Sequence, residues 1–271
     1  MSDRVEISVE DGVADVRLAR SEKMNALDSR MFDAIVEAGQ ALHRDEQVRA
    51  VVLSGQGRAF CAGLDVANFS APAGPPGEQA KAVSVAGRLT ERTHGISNKP
   101  QYAAYVWREL PVPVIAALHG VVFGAGFQVC LGADIRYAAP DTRMSIMEIR
   151  WGLVPDMAGT QLMRHLARDD VIRELTYTGR IFTAEQAQEY GFVTRVVDDP
   201  YAHALELARE IAGRNPAAIR ADKRMFNASG YLSAEAGLLM ESEEQELVLG
   251  SPNQIEAVRA NIEKRPANFS L

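Results

Sequence analysis

Two segments of this chain place glycine and other small residues at the ends of apolar runs, where main-chain N–H groups become available for chemistry. The first is His119 to Gln128, HGVVFGAGFQ. Gly120, Gly124 and Gly126 turn the chain, and Phe127, Val129, Cys130 and Leu131 fit a helix opening near Gly126. A helix start leaves N–H groups without intrahelical acceptors, and the helix dipole favours negative charge there. The second segment is Ala59 to Val66, AFCAGLDV. Two such strand ends could aim two N–H donors at one carbonyl oxygen, the geometry of an oxyanion hole for an enolate or a tetrahedral oxyanion. By itself the glycine cluster fits equally well a tight strand-to-helix connection with no ligand.

The elements that must position these segments follow from periodicity. Residues 48–55 and 111–118 are short apolar runs that read as buried strands. Residues 5–18 alternate in two runs around Asp11-Gly12, a hairpin signature. Asp28 or Ser29 caps a helix to about Arg44, with Met31, Ile35, Ala38 and Leu42 on its apolar face. Strands are expected at 132–139 and 144–149, the second carrying Glu148, before a turn-rich loop at 151–156 and a helix holding Leu162, Met163 and Leu166. Thr183 to Gln186 fits a capping box whose helix stops at Gly191, ahead of a short strand at 192–197. From Pro200 the pattern is helical only, at 202–214, 216–229, 233–249 and 252–262, with Asn215-Pro216 and Ser251-Pro252 as helix starts. This gives an α/β fold divided into a core, 1–199, and a C-terminal helical subdomain, 200–271.

Composition narrows the class. A chain of 271 residues, 47% hydrophobic and 24% charged, can bury the core of an ordinary globular enzyme. A net charge of −7 speaks against nucleic acid or an anionic membrane as a general partner. No run of 18 apolar residues and no signal-peptide pattern is present, so a cytoplasmic location is expected. Cys61 and Cys130 sit among small or apolar residues and read as reduced packing residues. His43, His94, His119, His165 and His203 have no metal-ligand spacing, and no G-x-S-x-G element suggests a serine hydrolase. Neither a metal nor a separate cofactor is expected.

The ordered motifs resemble the crotonase, or enoyl-CoA hydratase/isomerase, superfamily. They are Asn25-Ala26-Leu27, AFCAGLDV at 59–66, PVIAALHGVVFGAGF at 113–127, Ala133-Asp134-Ile135-Arg136, EIRWGLVPDMAGTQ at 148–161, and the stretches 175–180 and 184–193. The resemblance runs from about Val5 to the C-terminus. It implies a crotonase-like ββα spiral core with a C-terminal helical subdomain that builds homotrimers, often paired into homohexamers. The implied substrate is an acyl-CoA thioester, with coenzyme A a part of the substrate. The implied oxyanion donors are the N–H groups of Leu64 and Ala125, with Ala62, Gly63, Asp65 and Gly124 around the ligand. Lys23 and Ala26 become candidate contacts for the adenosine-phosphate end of coenzyme A. Lys264 and Phe269, on the C-terminal tail, become candidates for a neighbouring subunit's coenzyme A. Residues 67–109, with a breaker-rich stretch at 71–77, would cover the acyl pocket. Within them Tyr102, Tyr105 and Trp107 read as packing residues ahead of pocket lining. Asp134 and His119 read as structural, Asp134 tied to backbone or to an arginine.

Acid–base groups select the reaction. Two donors on a thioester oxygen lower the cost of forming its enolate, and removing one typically costs about 3 kcal/mol. Hydratases of the superfamily hold a water between two glutamates. Glu148 matches the second of these positions, but Gln128 stands at the first, and a glutamine exchanges no proton at ordinary pH. Asp156 stands where dienoyl-CoA isomerases carry an aspartate paired with a glutamate at the Glu148 position. Carboxyls on opposite sides of an acyl chain would remove a proton at one carbon and return one at another. Isomerisation of an enoyl- or dienoyl-CoA double bond is therefore the leading expectation. A hydratase using Glu148 and a water steered by Gln128 is the first alternative, and a catalytically silent acyl-CoA-binding scaffold is the second.

Overall fold

Strands β1 (Val5–Glu10) and β2 (Val13–Leu18) form the antiparallel hairpin that opens the chain, turning through Asp11 and Gly12, both at positive φ. The computed structural model describes residues 3–65 and 88–270, and the breaker-rich stretch 71–77 lies outside them. Helix α1 (Ser29–Arg44) is capped by Asp28, whose carboxylate accepts from the Met31 N–H, and it buries Met31, Ile35, Ala38 and Leu42. Then come β3 (Ala50–Gly55), α2 (Lys99–Glu109), β4 (Val114–Leu118), β5 (Val121–Phe123), α3 (Ala125–Leu131), β6 (Ile135–Ala138) and β7 (Arg143–Ser145). Helices α4 (Gly159–Met163) and α5 (Asp169–Thr178) precede β8 (Phe182–Thr183), α6 (Ala184–Tyr190) and β9 (Arg195–Val196). Four helices close the chain: α7 (Pro200–Ala212), α8 (Pro216–Ser229), α9 (Ala234–Val248) and α10 (Pro252–Glu263).

The main sheet has the order β1-β2-β3-β4-β6-β9 and is parallel beyond the first hairpin, while β5, β7 and β8 form a smaller second sheet. Apolar residues of both parities point into cores, as a covered parallel sheet requires. On one face Val51, Leu53, Ala116 and Leu118 meet Ile35 of α1, Trp107 of α2 and Phe127 of α3. On the other face Val52, Ile115, Ala117 and Tyr137 lie under Ala204, Ala208 and Ala212 of α7. The small alanines let that helix approach closely. Trp107 is wholly buried and packs, as expected, while Tyr102 and Tyr105 lie half-buried against the same core. The buried Lys223 of α8 donates to the carbonyls of Trp107 and Val112 and to Asp134 Oδ2 at 2.8 Å. Asp134 Oδ2 also accepts from the Val114 N–H. The expected backbone tie of Asp134 is present, and its charge partner is a lysine.

Two local differences from the sequence reading matter for the site. The glycine-rich stretch is interrupted by β5, which pairs with β7. Three residues are too few for periodicity to reveal. Glu148 does not lie on a strand: β7 ends at Ser145, and Glu148 opens a 3₁₀ turn, Glu148–Trp151. Pairing stops there because its partner stops, with Phe123 opposite Ser145 and the chain turning away at Gly124. Both cysteines are buried free thiols, each pushed up to about 12 by burial. No described helix is long and apolar enough to cross a membrane.

Candidate active site

The site is assembled where loops leave the C-terminal ends of β3 and β4. Asn25, fully buried at φ 55°, is the clamp. Its amide donates to the carbonyls of Gln56, Ala59 and Phe60, and its oxygen accepts from the Arg20 N–H. This ties the loop after β3 to residues 20–27. The two strands of chain then run side by side: Ala62 N–H donates to Met24 O, Leu27 N–H to Gly63 O, and Asp65 N–H to Leu27 O. Arg20, which the sequence reading passed over, pairs with Asp65 at 2.8 Å and donates to the Ala26 carbonyl. Nothing in one sequence distinguishes such an arginine from a surface one. His119 bonds the Gly57 carbonyl and braces the same loop.

On the other side of this pair lies the glycine-rich segment. Cys61 bridges to Val122, with Phe123 N–H donating to Cys61 O. Gly63, at φ 98°, faces it so closely that a β-carbon there would lie 2.9 Å from Phe123 O and 3.8 Å from Ala125 N. Among the described residues, neither the Leu64 nor the Ala125 N–H donates to a backbone carbonyl. Ala125 is the first residue of α3, so its free N–H follows from helix geometry.

The acid–base groups come from the chain after β7. Glu148 is 7% exposed, and its Oε1 accepts from Gln128 Nε2 at 2.6 Å. Its Oε2 is buried without a hydrogen-bond partner among the described residues. Burial pushes its pKa up, its own backbone N–H and then the Gln128 bond oppose this, and the nearby Asp156 raises it further. Asp156 is exposed by surface area, yet the protein atoms crowded near its carboxyl partly desolvate it. The crowding raises its pKa as well. Gln128, 1% exposed, accepts at Oε1 from the N–H groups of Met157, 2.8 Å, and Gly159, 3.1 Å. Its oxygen and one face of its amino group are thus engaged by protein. Ile149, Trp151, Leu153 and Val154 are exposed between the two carboxyls in sequence.

The structure therefore brings together Ala26, Ala62, Gly63, Leu64, Asp65, Gly124, Ala125, Gln128, Glu148 and Asp156. Lys23 sits at the outer end of the same loop, exposed. Phe269 is not brought in: its carbonyl accepts from Arg49, which precedes β3, so within one chain it lies at the far end of that strand. Lys264 closes α10 in a left-handed cap and is exposed.

An α/β core whose loops set Gly63 beside Phe123 and Gly124 beside the buried Glu148 is the crotonase fold. Residues 8–270 match the family described as enoyl-CoA hydratase/isomerase, and the chain belongs to that family of enzymes. It is 32% identical over 97% of its length to the 1,2-epoxyphenylacetyl-CoA isomerase of Escherichia coli, covering 96% of that protein. It is 31% identical over 95% of its length to the mouse mitochondrial Delta(3,5)-Delta(2,4)-dienoyl-CoA isomerase, covering 79% of that protein. The solved structure of an enoyl-CoA hydratase from Bacillus anthracis superposes with a TM-score of 0.85 at 28% identity, covering 98% of both chains.

Proposed function

We propose that this enzyme shifts a carbon–carbon double bond in an enoyl- or dienoyl-CoA, using Glu148 and Asp156 as the proton-transferring pair. The observation that carries this reading is the state of Glu148: one oxygen is held by Gln128, the other is buried and unpartnered, and a second carboxyl lies close enough to act on it. The Gln128 donor favours the ionised form of Glu148, and among the described residues Asp156 has no comparable side-chain donor; with one proton shared by the pair, we assign Glu148 as the base and Asp156 as the acid. Glu148 Oε2 takes a proton from the carbon chain, and the electron pair moves into the thioester to give a dienolate. The N–H groups of Leu64 and Ala125 hold the dienolate oxygen. A proton then returns from Asp156 to a carbon farther along the chain, and the proton held by Glu148 passes to Asp156 to restore the starting pair. The net change is a relocated double bond, with no water consumed. Similarity to a Delta(3,5)-Delta(2,4)-dienoyl-CoA isomerase supports the reading.

The hydratase alternative asks Gln128 to steer a water, and the bonds Gln128 makes to Glu148, Met157 and Gly159 disfavour it. Assembly into trimers or hexamers is part of the proposal. It is supported by exposed Leu238, Leu239 and Leu247 on α9 and by the open groove on α10 lined by Ile255, Val258 and Ile262.

The test is incubation with 2-enoyl-, 3-enoyl- and 3,5-dienoyl-CoA while ultraviolet absorbance is followed. Isomerisation creates or shifts a conjugated band, whereas hydration of the 2-enoyl thioester bleaches one. Glu148→Gln should abolish the isomerisation, and Asp156→Asn should reduce isomerisation far more than any hydration. Bleaching alone would establish the hydratase reading, and no change together with tight coenzyme A binding would establish the scaffold.

A further inference from the structure

We infer that Gln128 is a positioning residue whose amide locks Glu148 to the 156–159 turn and leaves Glu148 Oε2 as the atom that exchanges protons. The inference rests on the proton-transfer reading above.

The orientation of the Gln128 amide follows from its neighbours. Two main-chain N–H groups, of Met157 and Gly159, point at one atom of that side chain, so that atom must be the oxygen. The amino group then faces Glu148 Oε1 as a donor. Ala158 between the two N–H groups sits at φ 61°, a left-handed turn that lets both converge. Gly159 lies so near that a β-carbon there would stand 2.6 Å from Gln128 Oε1. One side chain thereby fixes both the Glu148 carboxylate and the turn that begins at Asp156. A donor on Oε1 favours the ionised form and leaves Oε2 for the substrate. Glutamate at position 128 would keep both acceptor bonds to the turn but would meet Glu148 with an oxygen. Two carboxylates at that spacing must share a proton.

The charged groups around Glu148 leave this effect readable. Asp156 acts on it from the following loop. Arg150, on its own turn, bonds the Gly179 carbonyl. Helix α5, packed against that turn, carries Asp169, Asp170, Arg173 and Glu174, which pair with Arg173, Arg168, Asp169 and Arg180 at the surface. Cys130 of α3 is a buried thiol pushed up to about 12, hence neutral.

The experiment follows the protonated-carboxyl infrared band of Glu148, identified by its loss in E148Q, against pH in the wild type, Q128E and Q128L. Turnover of a 3-enoyl- or 3,5-dienoyl-CoA is measured alongside. The titration of Glu148 should move upward in both variants, farther in Q128E. At neutral pH kcat should fall about tenfold or more with KM little changed, as expected for losing a hydrogen bond to a charged group. The acid limb of the kcat profile should move upward with it. A folded Q128E with an unmoved titration overturns the inference, as does a Q128E chain that fails to fold although both acceptors are kept. If Q128L does not fold, Q128E decides. If the wild type turns over none of these thioesters, the isomerase reading fails, and a shifted infrared titration still supports the lock.

Discussion

Gly124 and Glu148 stand in direct apposition: a β-carbon on Gly124 would lie 3.4 Å from Glu148 Oε1. Gly124 holds φ 50° and ψ −116°, a conformation that side chains strongly disfavour, and it is the N-cap of α3. Gly124→Ala should therefore destabilise the fold by about 1–3 kcal/mol in urea titrations. Relaxation of that strained backbone should also shift the start of α3 against the carboxylate and lower kcat roughly ten- to hundredfold. An alanine variant with wild-type stability and turnover would contradict the role of this contact.

Gly63 makes the parallel case on the donor side. Its φ of 98° and the 2.9 Å approach to Phe123 O leave no room for a methyl group. Gly63→Ala should push Leu64 away from Ala125 and separate the two N–H groups. Loss of one oxyanion donor predicts a fall in kcat of about 10²–10³ with a smaller effect on KM. Steady-state kinetics with whichever enoyl- or dienoyl-CoA the wild type turns over measures this, and a change confined to KM would argue against the donor pair.

The pH dependence of stability carries a definite sign. The pKa of Glu148 is raised in the folded chain, chiefly by burial. Between the unfolded value, near 4.5, and the higher folded value, the folded state holds more protons than the unfolded state. This contribution is fully present below the unfolded pKa and is lost as pH rises through the folded one. Asp156 contributes with the same sign. Glu148→Gln should therefore flatten the decline of stability with rising pH, with its melting temperature improving relative to wild type from acid to neutral pH. Parallel melting curves across that range would show that the carboxyl is not strained by burial.

Much of this was legible in the sequence because it rests on local physics. The Asp28 cap, the Thr183–Gln186 capping box and the helix starts at Pro216 and Pro252 are short-range patterns, and each is found in place. The strands β3 and β4 were readable because covered parallel strands are continuously apolar. Glu148 and Gln128 were identified as site residues, but their contact joins positions twenty apart, which no periodicity encodes. Strand β5 and the 3₁₀ turn at Glu148 escaped because both depend on where a three-residue partner ends. Helix α5 sets Val171, Ile172 and Leu175 on one face against the core, but three apolar positions in ten residues, of which only Leu175 is fully buried, make a short signal.

Assembly is testable without substrate. Leu247 and Ile262 are each more than 70% exposed, and both lie on helices that contribute little to the main core. A trimer or hexamer should be seen by analytical ultracentrifugation at micromolar concentration. Leu247→Glu combined with Ile262→Glu should shift it toward monomer while the far-ultraviolet circular dichroism is retained. A wild-type monomer would remove the subunit-contact role expected of Lys264 and Phe269.

The buried ammonium of Lys223 bonds Asp134 at 2.8 Å and two carbonyls that end α2 and precede β4. Its removal would leave those carbonyls and the carboxylate without their donor, while Val114 N–H alone remains on Asp134. Lys223→Met should destabilise the chain by about 3–5 kcal/mol, the range for breaking a buried ion pair by deleting one partner. Removing the orphaned charge as well, in Lys223→Met with Asp134→Asn, should recover part of the loss. These groups sit at the N-terminal end of β4, whereas Gly124, Ala125 and Gln128 follow its C-terminal end. The folded fraction should thus keep near-normal kcat. A large kcat loss in chain that remains folded would mean that β4 transmits a shift from one end of the sheet to the other.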